Sequence, residues 1–232
     1  MSNGDISVGE VIGTATPILF GAGVVAAVVL NYSKAKDAGW AVTALGWGFG
    51  VMTGAYTAAP LSGGRPNPAV TLGIAVDTGE RDHVHVCVAG QMAGAMLGAV
   101  LCRLVYYAQS QANAEEDIAQ PTLGIFSTAP AIRNPVAHLV TEIIATMGLV
   151  LPILAFGLTE GLGESGTAIL IVSFLVVGIG LSLGGPTGHA IDPARDLGPR
   201  VVQRRPGCST TCPGPGPARR TARSRSAPST PG

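Results

Sequence analysis

The sequence predicts an all-α membrane protein built as two inverted copies of one unit, in which full spans surround a pair of half-helices. Three observations carry this. Residues AVILMFWYC make up 47% of the 232-residue chain, only 12% are charged, and the apolar letters are gathered in long blocks, which is a membrane composition. Asn67-Pro68-Ala69-Val70 closes a Gly- and Pro-rich turn and opens an apolar run, 68–76, that covers about 15 Å, near half of the roughly 30 Å hydrocarbon core. Asp192-Pro193-Ala194-Arg195 repeats the device later in the chain. Asn and Asp are favoured helix N-caps and Pro a favoured first helical residue, so each run reads as a half-helix with its polar end at mid-membrane. Two such ends meeting N-terminus to N-terminus put two positive dipole ends in one place, which is the plan of a pore.

The spans follow in order. Five blocks are long enough to cross: roughly 11–30, 40–59, 84–107, 137–158 and 167–184. The first contains Pro17, which bends or weakens a helix unless neighbours satisfy the carbonyl it frees. A polar link, 31–37, leads to the second block, which holds Trp47; from position alone an ordinary packing role suffices for that indole. The turn 62–66 precedes the first half-helix, and Asp77-Thr78-Gly79-Glu80-Arg81 closes it. In the third block Gly90, Gly94 and Gly98 stand four apart, a small-residue face for close helix packing in lipid. His83 and His85 lack a third ligand, and Cys208 and Cys212 offer two where zinc takes four, so neither a metal nor any other cofactor is expected. Residues 109–134 form a polar connector before the fourth block.

The internal repeat is carried by Glu10-Val11-Ile12-Gly13-Thr14 and Glu142-Ile143-Ile144-Ala145-Thr146, which open the first and fourth spans. Glu10 precedes Asn67 by 57 positions and Glu142 precedes Asp192 by 50. The first copy, about 8–108, has three spans, and an odd number inverts the second copy, about 135–203. A carboxylate inside a bilayer is expensive, so Glu142 is expected to face the protein interior and hold a neighbouring loop by accepting backbone N–H bonds. Glu10 admits that reading and a second one, at the interface with its carboxyl in water. Residues 1–203 form the channel domain, whereas 204–232 carry six Arg, six Pro, no acid and no Val, Ile, Leu or Phe. That tail cannot span, is expected to be disordered, and is read as the product of a shifted reading frame.

Paired Asn-Pro-Ala-type boxes in inverted repeats, each copy opening with a Glu, resemble the major intrinsic proteins, the aquaporins and glycerol facilitators. The run 188–200, Gly-His-Ala-Ile-Asp-Pro-Ala-Arg-Asp-Leu-Gly-Pro-Arg, is similar to the glycerol-conducting branch, in which an Asp, here Asp196, follows the Arg. The resemblance covers about residues 8–203. It implies an aquaporin-like fold of six spans with both termini cytoplasmic, of which this chain is expected to show five and to lack the sixth. It also implies a homotetramer in the plasma membrane with one pore per subunit, acting on glycerol, small polyols and water and not on nucleic acid. By motif spacing it carries over the pore boxes Asn67, Pro68, Ala69 and Asp192, Pro193, Ala194, and the selectivity filter Trp47, Gly180, His189 and Arg195. Glu10, Glu142 and Asp196 are carried over as structural supports.

Trp47 and Gly180 together imply an opening wider and more apolar than a water-only filter, in which CH faces slide on the indole and hydroxyls meet Arg195. The chain departs from the family at Asp192, where Asn is usual, at His189, where Phe or Tyr is usual, at Arg65-Pro66, and in the tail. A passive channel is the first functional reading. A secondary transporter also uses inverted repeats and broken helices, but Glu142 and Arg103 are the only Asp, Glu, Lys or Arg inside the five blocks, too few for ion coupling. A non-conducting member of the family is the third reading. No nucleophile and base stand at a catalytic spacing, so an enzyme is not expected.

Overall fold

The computed structural model describes residues 1–115, 123–130 and 132–203; the readings made for 204–232, namely disorder, the missing sixth span and the shifted frame, lie outside the described residues. The described residues form helices and no strand: α1 (Asn3–Val29), α2 (Trp40–Ser62), α3 (Pro68–Thr78), α4 (Val84–Val105), α5 (Tyr107–Glu115), α6 (Leu123–Phe126), α7 (Pro135–Gly157), α8 (Ala168–Leu183) and α9 (Pro193–Gln203). Among them α1, α4 and α7 are long and apolar enough to cross a membrane, and α3 and α8 are shorter apolar helices. The expected second span exists as a 23-residue helix diluted by Gly, Thr and Trp. The fifth, 16 residues, covers about 24 Å and falls short of a full 30 Å core by itself.

Helix α1 starts well before its apolar block. Ser2 accepts the Asp5 N–H (3.1 Å) while the Asp5 carboxylate accepts the Ser2 N–H (3.2 Å), a reciprocal box that satisfies otherwise orphaned donors. The early start puts Glu10 inside the helix. Pro17 does not end α1; the Gly13 carbonyl that it frees lies against Gly54 of α2, where any Cβ would collide with it. Gly94 and Gly98 of α4 press on the carbonyls of Val11 and Ala15 of α1, and Gly90 sits on Glu10. In lipid, where burial brings little hydrophobic gain between spans, such backbone approach supplies the packing.

Helix α1 is therefore the centre of the bundle, with α2 on one side and α4 on the other. Helix α2 packs on α8, α4 on α9, and α7 on both α8 and α3. The buried core follows these contacts, with one cluster around Val70, Ala145, Leu149 and Val176 and another around Ile18, Trp47, Ala95 and Ala194. The connector is more built than its polar composition suggests. Asn113 of α5 is buried and exchanges hydrogen bonds with the backbone of Asn31, and Ile125 of α6 packs against Ala26 and Leu30.

Candidate functional site

The site starts at the two half-helix ends. The Asn67 side-chain oxygen accepts the N–H groups of Ala69 (2.8 Å) and Val70 (3.4 Å), with Pro68 as the first helical residue of α3. Asp192 does the same for α9, accepting from Ala194 (2.9 Å) and Arg195 (3.1 Å), with Pro193 first in that helix. The Asn67 amide N–H then donates to the Ile191 carbonyl at 3.0 Å, tying the two caps together across 124 positions of sequence. Asn can cap and donate at once, whereas an ionised Asp only accepts.

Three carboxylates surround this junction. Glu142 accepts the N–H groups of Ala190 and Ile191, both at 3.2 Å, and so clamps the loop ahead of α9. That loop turns through left-handed residues, Gly188 (φ 90°), His189 (φ 42°) and Ile191 (φ 41°), the last two in a region costly for side-chain-bearing residues. Glu142 itself is half-buried instead of enclosed. Glu10 is enclosed, at 1% exposure, which excludes the interfacial reading. It acts on its loop through an intermediary: Gln91 of α4 bonds Glu10 (2.8 Å), the Arg65 carbonyl (3.0 Å) and the Thr71 hydroxyl (2.9 Å). Asp196 accepts from Thr128 through its N–H (2.9 Å) and hydroxyl (2.7 Å) and from Arg200 (2.9 Å), while Arg200 also bonds the Thr128 carbonyl (2.7 Å).

Gln91, Thr71, Thr128 and Arg200 were not singled out from sequence. Gln91 left a signal, an amide inside an otherwise apolar block; Thr128, in the connector, left none.

A cavity of about 510 Å³ follows α2 from Trp47 to Ala59 and passes both caps, Asn67 and Asp192. Val51, Val70, Ile74, Leu149, Val172 and Val176 give it an apolar lining, which residues of the loops 63–66 and 189–192 complete. Within this lining the Arg195 guanidinium lies over the Trp47 indole, 4.2 Å from its centroid, an arrangement that holds a cation by the ring's negative face. Arg195 is 8% exposed and one of its terminal nitrogens has no hydrogen-bond partner among the described residues. The indole is seated on Gly21, where no Cβ fits.

Trp47, His189 and Arg195 line the cavity together; Gly180 does not. A Cβ placed on Gly180 would lie 3.3 Å from the His189 ring and 3.0 Å from Ala44. The imidazole thus lies against the space that Gly180 leaves. Pro68, Pro193, Ala69 and Ala194 shape the half-helix starts and are not on the cavity wall.

Comparison with known proteins agrees with this geometry. The family model described as "Major intrinsic protein" matches residues 3–209. The chain is 47% identical over 198 residues to a glycerol uptake facilitator protein of Bacillus subtilis, covering 84% of this chain and 69% of that one. It is 46% identical over 196 residues to glycerol uptake facilitator protein 3 of Lactiplantibacillus plantarum, covering 84% and 79%. Among solved structures, the aquaglyceroporin from Plasmodium falciparum superposes with a TM-score of 0.71 at 27% identity, covering 87% of this chain and 81% of that one. Two capped half-helices joined at their ends, carboxylate-clamped loops and a family match over most of the chain lead to one conclusion: the protein belongs to the major intrinsic protein family of membrane channels.

Proposed function

We propose that the protein is a passive channel for glycerol and similar small neutral polyols, with water, in the plasma membrane. The observation that carries this is a cavity of mixed aliphatic and polar lining that passes both caps and includes the Arg195–Trp47 pair. A polyol is itself two-sided: its CH faces suit the aliphatic lining and the indole, and its hydroxyls can donate to loop carbonyls and accept from the Arg195 guanidinium. The fixed charge of Arg195 repels cations at the same point. The names of the relatives support glycerol as the solute.

On this reading Trp47, His189 and Arg195 form the constriction, with Gly180 behind His189. Asn67 and Asp192 mark the middle of the path, and Glu10, Glu142 and Asp196 hold its loops. The channel domain is 1–203, made of inverted repeats at about 8–108 and 135–203, and the working unit is a homotetramer that carries out no chemical step. The test is stopped-flow light scattering of proteoliposomes in a glycerol gradient. Vesicles containing the protein are expected to reswell faster than empty vesicles, and Arg195→Val is expected to retain flux while losing exclusion of small cations. Water flux without glycerol flux would contradict the proposal.

A further inference from the structure

We propose that Trp40 is a positioning residue of the constriction: from behind the channel wall it holds the His189 ring in a groove of α8 and so sets how far that ring stands into the opening. The inference rests on the channel reading above. His189 lines the cavity, whereas Trp40, Gly180 and Gly184 lie close to its ring and are not part of that lining. The ring lies along α8 between two glycines: a Cβ on Gly180 would be 3.3 Å from its Cε1 and Nε2, and one on Gly184 would be 2.8 Å from its Nδ1. Trp40 closes the groove, edge-on to the imidazole with centroids 5.8 Å apart and planes at 89°. Its own orientation is fixed by a 2.7 Å hydrogen bond from the indole N–H to the Gly180 carbonyl.

His189 has no comparable tether. Nδ1 is buried without a hydrogen-bond partner among the described residues, so at that nitrogen the ring is held by packing alone. A tryptophan near a membrane surface commonly anchors in the headgroup region through its N–H. Trp40 is 43% exposed yet spends that N–H on Gly180, which is what a wall element requires and an interfacial anchor does not.

The geometry gives opposite signs for two substitutions. Trp40→Ala removes the backing, lets the ring retreat and widens the opening. Gly180→Ala adds a methyl behind the ring and pushes it inward. The readout is the ratio of erythritol to glycerol permeability, measured in the same reconstituted vesicles so that the amount of active protein cancels. Trp40→Ala is expected to raise the ratio by about threefold and Gly180→Ala to lower it by about the same factor, a size at the low end of couplings between contacting residues. In the His189→Ala background both are expected to leave the ratio unchanged. Trp40→Phe is expected to shift it in the same direction as Trp40→Ala by a smaller factor, and replaces that variant should it fail to reconstitute. A general loosening of the fold would not produce opposite signs that disappear with the imidazole. If the parent protein conducts glycerol and the ratio ignores Trp40, or responds equally without His189, the inference is overturned and the channel reading stands. No glycerol flux from the parent protein overturns both.

Discussion

Asn67 and Asp192 cap their half-helices in the same way, and the difference between them is a single N–H2 group. Asn67 uses it to reach Ile191, whereas an ionised Asp192 presents oxygen to the cavity where its counterpart presents a donor. A carboxylate there offsets the barrier that two helix N-termini and Arg195 raise against cations. Asp192→Asn is therefore expected to reduce cation leak, measured as conductance in planar bilayers; equal conductance of the two forms contradicts this. Gln91 is the matching case in the interior. Gln91→Leu removes one amide NH2 whose two protons are shared among Glu10, the Arg65 carbonyl and Thr71, so a loss of about 1–3 kcal/mol is expected for a buried acceptor left unsatisfied, with a lowered unfolding midpoint in detergent. Glu142 was legible because a carboxylate in an apolar block must be compensated, whereas Glu10, one position ahead of its block, kept an interfacial reading open. What compensates Glu10 was not legible, since the pairing of Gln91 with Glu10 spans 81 positions and depends on how α4 lies against α1.

The half-helix α9 depends on tethers outside itself. Asp196 joins it to Thr128, and Arg200 closes the same loop from one turn further on. Asp196→Asn weakens charge-assisted bonds worth about 1.5–3 kcal/mol. The expected result is faster proteolysis of the segment around Thr128 and lower glycerol flux; flux and cleavage equal to the parent protein's would remove Asp196 from the supports. The α1–α4 contact is set by glycine, so Gly98→Val forces α4 off the Ala15 carbonyl, and overpacking of this kind costs about 1–3 kcal/mol. A lower unfolding midpoint checks it. Helix positions were legible wherever an apolar block or a cap announced them, as at Asn67-Pro68. The early start of α1 was hidden because Ser2 and Asp5 precede the apolar letters, and α5 because a polar helix has no apolar period to read. The partnership of Gly180 with His189 was likewise invisible, since a missing side chain does not announce what fills its place.

The helices hold the two half-helix ends against each other by Asn67 and Ile191 and surround a cavity lined by aliphatic side chains and by residues of both loops. A channel of this kind offers a fixed path. An alternating carrier instead needs a bound state that changes which side is open, and its rate saturates once every site is filled. The measurement that separates the two is the initial glycerol flux into proteoliposomes as a function of glycerol gradient, repeated across temperature. The account predicts flux proportional to the gradient with a shallow temperature dependence, close to that of diffusion in water. Flux that saturates with glycerol and rises steeply with temperature would contradict it.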